Sequence, residues 1–383
     1  MIRRLVIVTE IISPYRIPLF NELSKEQDVD LHVLFLSETD PSLRQWQVYK
    51  EEIRFSYEVL PSWRRRVGRF NVLLNTGMRD ALQAKSPEAI LCGGYNYLAS
   101  WQALSWARKH NVPFLLWSES NAQDQRSGHV TVEFLKQVFL ERCSGYVVPG
   151  KSAREYLLEK GIADDKIFIA RNAVDNKLFA ELAAEARQRA AFRREELNLP
   201  DRYFLFVGRL VREKGVFELL SAYAKLEGSI RSRIGLVFVG DGQCRGQLEA
   251  EARTIDGGRI CFPGFAPRQV LASYYALAEA LILPTYTDPW GLVVNEAMAC
   301  GLPVILSHVA GCGPDLVREG WNGLLVPPRE VSALKTAMET MLNNPEVMAE
   351  MGANSERLIS EYSPEHWSRS IAAMLSRLEL AHG

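Results

Sequence analysis

The sequence predicts an α/β protein made of two doubly wound parallel-sheet domains, and three observations carry that prediction. Short β-branched or apolar runs alternate with longer amphipathic ones, the pattern of parallel strands joined by crossover helices. The same rhythm stops at a charged stretch and then restarts. At 383 residues the chain exceeds one ordinary hydrophobic core and suits two, with a cleft between them as the default place for chemistry.

Taken in order, the strand-like runs of the first half are LVIVTE (5–10), LHVLFLS (31–37), AILCGG (89–94), PFLLWSE (113–119), GYVVPG (145–150) and IFIARN (167–172). The N-terminal MIRRLVIVTEIISP starts basic and then apolar like a signal peptide. Its apolar run is short, contains Glu10 and lacks a small-residue cleavage site, so it reads as a first strand. Residues 178–202 are rich in Ala, Arg and Glu and read as a helical connection. The second set is YFLFVGRL (203–210), LVFVGDG (236–242), ICFPGF (260–265), ALILPT (280–285), LPVILS (302–307) and GLLVPP (323–328). Trp367, Ile371, Met374, Leu375 and Leu378 follow helical spacing, which predicts a last helix with an apolar face. The expected domains are therefore 1–178 and 179–363, with the helix of about 364–383 returning to the first.

A formal net charge of −1 gives no global basic field, which argues against nucleic acid as a partner. The six cysteines are scattered without a C-x-x-C pair or a metal-binding His spacing, so a reducing cytoplasm is the simplest setting. No apolar stretch approaches the roughly 20 residues of a spanning helix, which leaves only peripheral membrane contact.

The chemistry-bearing residues concentrate in the second half. The strand at 203–208 runs into Gly208-Arg209-Leu210 and then Lys214-Gly215, ahead of a helical pattern from Val216. Ligands of open parallel sheets bind beyond the carboxyl ends of strands, where helix N-termini offer unpaired N–H groups to anions. Arg209 and Lys214 at that place suit a diphosphate, although each taken alone is equally well read as a solvated cation. Further on, Asp288-Pro289-Trp290-Gly291 reads as a loop entering a helix that ends at Gly301, with Pro303 as its stop. Asp288 precedes that helix and Glu296 lies on its second turn. A lone helical Glu is usually solvated, but Val293, Val294, Ala297 and Met298 make this helix apolar almost all round, and a buried carboxylate needs partners.

The ordered set FVGRLVREKG, VGDGQCRGQLE, FPGF, TDPWGLVVNEAMACGLPVI and AGCGPDLVREGWNGLLVPP resembles the donor-binding domain of the retaining glycosyltransferases of family 4, also called group 1. It covers nearly all of residues 170–330. The resemblance implies the GT-B fold, two Rossmann-like domains facing each other across a cleft. It also implies that Arg209 and Lys214 hold the donor diphosphate, that Glu296 takes the ribose hydroxyls and that Asp288 binds the transferred sugar. Gly208, main-chain N–H groups at Trp290, Gly291 and Leu292, and the neighbouring Val293 would complete the donor site, with Phe265 near the base. The family usually has Glu where Asp288 stands, a difference of one methylene that bears on sugar choice.

The first half resembles the family less closely. Ser13-Pro14-Tyr15-Arg16-Ile17-Pro18 opens a helix at the carboxyl edge of its sheet, and similar loops in the family lie over the cleft. Tyr15 and Arg16 are accordingly cleft or acceptor candidates, with helix capping as the alternative for Arg16. WSESN (117–121) offers Ser118 and Glu119 where many relatives carry a sugar-contacting His. Gly93-Gly94 read as a turn. The run SWRRRVGRF (62–70) gathers four arginines with Trp63 and Phe70. It is read either as a solvated loop or as a contact with anionic lipid, at about 1 kcal/mol per basic residue.

The function these readings imply is a retaining, metal-independent glycosyltransferase. It would move a sugar from a nucleotide-diphospho-sugar, UDP ahead of GDP, to a hydroxyl of a glycan or lipid-linked acceptor in cell-surface polysaccharide or glycolipid synthesis. No cofactor is expected, and the location is cytoplasmic or peripheral on the inner membrane face. Two other classes fit the fold: a nucleotide-sugar 2-epimerase, and a nucleotide-sugar-binding subunit without catalysis.

Overall fold

The computed structural model describes residues 3–39, 47–67, 70–122 and 130–382, with side chains left aside at 66–67, 70–71, 130 and 379–382. They form two compact units, Met1–Asn172 with Pro364–Gly383, and Ala173–Ser363. The division falls a few residues ahead of the expected boundary because Val174, Phe179 and Ala183 bury their side chains in the core of the second unit.

The first unit holds a seven-stranded sheet and a hairpin. Its strands are β1 (Arg3–Thr9), β2 (Val29–Phe35), β3 (Ser56–Val59), β4 (Ser62–Val67), β5 (Phe70–Asn75), β6 (Ala89–Cys92), β7 (Phe114–Trp117), β8 (Gly145–Val148) and β9 (Ile167–Ile169). The sheet is parallel in the order β3-β2-β1-β6-β7-β8-β9. Its middle strands are covered on both faces, which is why they read as continuous Val, Ile and Leu runs rather than as alternation.

The basic run read as a loop is instead the antiparallel hairpin β4–β5, with Trp63 opposite Leu74. Gly68 and Arg69 of that run lie outside the described residues. Trp63 and Leu74 are exposed, and Arg64 bridges to Glu10 at 3.5 Å, which ties the hairpin to the loop after β1. The last helix, Pro364–His382, packs on the helix Ile17–Leu23 of this unit. Fully buried Trp367 lies against Phe20 and Trp117 at 5.9 and 5.3 Å between ring centroids.

The second unit carries β10 (Tyr203–Val207), β11 (Gly235–Val239), β12 (Ile260–Gly264), β13 (Ala280–Leu283), β14 (Val304–Ser307) and β15 (Gly323–Val326). Their order is β12-β11-β10-β13-β14-β15, parallel throughout. From β10 the chain winds outward through β11 and β12, then returns to the other side of β10 for β13. The loops after β10 and β13 therefore part company at a topological switch point, the usual ligand position in such sheets. Among the described residues, no helix is long and apolar enough to cross a membrane.

Candidate functional site

In the second unit the switch point joins two loops through their backbones. Glu213 O accepts from Tyr286 N at 2.8 Å and from Thr285 Oγ1 at 3.0 Å. Gly215 has φ +69°, and a Cβ there would stand 2.1 Å from Pro284 O, so the close approach of the two loops requires glycine. Gly215 also opens the helix Val216–Ala224, which places Lys214 in the turn just before that helix begins.

Lys214 reaches across to the second loop. Its Nζ donates to Asp288 Oδ2 at 2.5 Å, with side chains only 15% and 12% exposed. Asp288 is fixed by the chain around it: Gly311 N donates to its carbonyl at 2.9 Å, and its Oδ1 lies 3.4 Å from Trp290 N. Trp290 is buried, its Nε1 donating to Asn295 Oδ1 at 2.8 Å. Gly291 adopts φ +98° as N-cap of the helix Leu292–Ala299, where half-buried Leu292 and Val293 form the first turn. Asp288, Trp290 and Gly291 thus sit at the N-terminal end of that helix, where N–H groups lack helical partners.

Glu296 projects from the second turn of the same helix toward the helix Arg268–Leu277. There it accepts a 2.7 Å hydrogen bond from the hydroxyl of Tyr275 to Oε2. Burial pushes the Glu296 carboxyl up to about 7, and the Tyr275 hydrogen bond opposes that rise. The phenol of Tyr275 is itself pushed far up, by burial first and then by the neighbouring carboxylate, so it remains a donor. Gly208, half-buried with φ +150°, and exposed Arg209 lie immediately beyond β10. Phe265 stands just past β12 and is 49% exposed. Among the described residues no three His, Cys, Asp or Glu side chains gather as a metal site.

The first unit has its own cluster at the switch point between β1 and β6. Arg16 does not cap its helix through its side chain. The guanidinium instead donates to Thr9 Oγ1 at 2.6 Å and to Glu119 Oε1 at 3.3 Å, and lies 4.3 Å from the centre of the Trp117 ring. Gly93 lies beside this clamp: a Cβ there would stand 3.4 Å from both Arg16 Nη1 and Thr9 Oγ1, in ordinary contact with them. Tyr15 is half-buried beside it, 5.9 Å from the guanidinium, and Ser118 is buried with its N–H donating to Val147 O.

The structure therefore brings Lys214 to Asp288 and Arg16 to Glu119, while Glu296 meets Tyr275. Tyr275, Thr9, Trp117 and Gly93 were missed by sequence reasoning. Tyr275 and Trp117 read as core aromatics, and only their polar neighbours in space distinguish them.

Two parallel-sheet Rossmann-like units, the second with Lys214 and Asp288 in contact at its switch point, have the architecture of the GT-B fold. The Glycosyltransferase Family 4 model matches residues 19–178 and the Glycosyl transferases group 1 model matches residues 187–358; the chain belongs to this family. It is 33% identical over 178 residues to the alpha-D-kanosaminyltransferase of Streptomyces kanamyceticus, an alignment covering 46% of this chain and 45% of that protein. The chain thus spans less than half the length of that curated relative. In fold it is similar to a sucrose-phosphate synthase from Thermosynechococcus elongatus, with TM-score 0.74, 21% identity and coverage of 99% and 100% of the two chains. It is equally similar to the Anabaena protein HepE in complex with UDP and glucose, with TM-score 0.75, 16% identity and coverage of 98% and 99%.

Proposed function

We propose that the chain is a retaining, metal-independent glycosyltransferase that uses a nucleotide-diphospho-sugar, UDP-linked ahead of GDP-linked, and a glycan or lipid-linked acceptor. The observation that carries this reading is the joining of the 208–215 and 284–291 loops at the switch point of the second sheet, with Lys214 and Asp288 in contact there. The HepE relative, whose structure holds UDP and glucose, supports UDP as the first nucleotide to try.

In the proposed reaction an acceptor hydroxyl forms a bond to the anomeric carbon as the bond from that carbon to the diphosphate breaks. Its proton passes to the departing phosphate oxygen, so the sugar is delivered on the face the nucleotide leaves. The protein's part is electrostatic: Arg209, Lys214 and the N–H groups at Trp290, Gly291 and Leu292 meet negative charge as it grows on the diphosphate. Glu296 takes the ribose hydroxyls, and Asp288 lies beside the transferred sugar. Because fixed cations supply the positive charge, a divalent ion is not needed. Arg16 and Glu119 are the proposed acceptor-side residues. The exposed Trp63 and Leu74, with exposed Arg65 on the same hairpin, support a peripheral contact with an anionic inner membrane face.

A thermal-shift panel of UDP-, GDP-, ADP- and dTDP-sugars with chelator present tests the reading. One donor is expected to stabilise the protein selectively, and Lys214→Ala and Glu296→Ala to weaken that effect. Stabilisation by none of them would overturn it.

A further inference from the structure

The side chain of Glu296 ends in a torsion that is broad and roughly two-fold, so an unheld carboxylate does not present a fixed oxygen. Each of its oxygens can accept more than one hydrogen bond, and nothing in the backbone of the helix Leu292–Ala299 dictates which faces outward. Tyr275 supplies that choice. Its ring is fully buried and set edge-on to Phe179 at 6.2 Å and 70°, which leaves the phenol little freedom. Its hydroxyl lies 2.7 Å from Oε2.

Resting on the reading that Glu296 takes the donor ribose, we propose that Tyr275 is a positioning residue that makes the donor site selective for ribose. By occupying Oε2 it turns Oε1 toward the place where a ribose hydroxyl must donate. Tyr275 is fully buried and Glu296 is partly so, and a hydrogen bond sheltered from water in this way is worth more than the same bond in open solvent. Burial also raises the Glu296 carboxyl to about 7, so the Tyr275 hydroxyl is what favours its ionised, accepting form.

The test is calorimetric titration of UDP and its 2′-deoxy and 3′-deoxy analogues into wild type, Tyr275→Phe, Glu296→Gln and the double variant, with the GDP series used instead if the donor panel selects it. Wild type should prefer the ribonucleotide over at least one deoxy analogue by about tenfold, the scale of one well-placed hydrogen bond. Tyr275→Phe should cut that preference below about threefold while binding of the deoxy analogue stays within about twofold of wild type. The double variant should discriminate no worse than Glu296→Gln alone, since both act through one carboxylate. The affinity ratio within one variant does not depend on how much of it is folded. Tyr275→Met, which fills part of the ring's volume without a hydroxyl, serves if the Phe variant is too unstable to titrate.

A preference kept at the wild-type level by Tyr275→Phe or Tyr275→Met would overturn the proposal while leaving the donor reading intact. Wild-type binding of UDP without any ribose preference would overturn the role of Glu296 and this proposal together. Absence of nucleotide binding by wild type would overturn the donor reading itself.

Discussion

Lys214 and Asp288 form a close ion pair, 2.5 Å from Nζ to Oδ2, across the two loops that part at the switch point of the second sheet. A carboxylate in that position offsets much of the lysine's attraction for a phosphate, because opposite charges this close and this little exposed are weakly screened. Asp288→Asn should therefore bind bare UDP at least as tightly as wild type, by a gain of about threefold to tenfold, while transfer of the sugar falls. Lys214→Met should lose at least about tenfold in UDP affinity, and removing the cation beside Asp288 should cost about 1–3 kcal/mol of stability. Calorimetry and thermal melts of the two variants check both signs.

Glu296 gives the second unit a pH dependence of the opposite sense to an ordinary paired carboxylate. Its folded value of about 7 lies above the ordinary 4.5, so its contribution is fully present below 4.5 and is lost as pH rises through 7. Glu296→Gln keeps the shape and has no proton to lose. It should melt higher than wild type at pH 8, by on the order of 1–3 kcal/mol, with the difference closing by pH 5. Thermal unfolding at the two pH values decides this.

His32 acts on the acid side of the first unit. Burial lowers its value from 6.5 to about 4, Lys85 adds to the depression and Asp30 opposes it, while Ser56 Oγ lies 2.7 Å from Nδ1. The folded imidazole resists protonation that the unfolded chain accepts, so stability is present above 6.5 and lost as pH falls toward 4. In His32→Gln the acid-side loss should be smaller by about 1–2 kcal/mol between pH 7.5 and pH 5. A wild-type difference no larger than that of the variant would refute the assignment.

Trp367 should be the most sensitive position of the last helix. It is fully buried between Phe20 and Trp117, and Trp367→Ala leaves a cavity worth about 3–5 kcal/mol. Limited proteolysis should cut the first unit of this variant well before the second.

The sequence made most of this architecture readable because central parallel strands are apolar on both faces. Runs such as YFLFV and LVFV are buried end to end in β10 and β11. The strands it concealed sit outside that rule. β3 is an exposed edge strand, SYEV, with no apolar run, and β4 carries three arginines that read as a solvated loop. In the site, the glycines and Pro303 revealed the loop and helix that hold Asp288 and Glu296. The pairing of Tyr275 with Glu296 was hidden because a helical tyrosine amid Ala and Leu looks like any core aromatic. Arg16 was visible as a residue, but its partners Thr9 and Glu119 come from different strand ends that only folding assembles.

The route of the chain, out of the first unit after Asn172 and back at Pro364, sets an order for biosynthesis. A ribosome delivers every strand of the second sheet before it delivers Trp367. The second unit can thus close its core on the nascent chain, whereas Phe20 and Trp117 wait for their aromatic partner until the last strand of the second sheet has been made. The unit whose strands are made first therefore has its core completed second, by a helix that only reaches it after the other unit's whole sheet has been made.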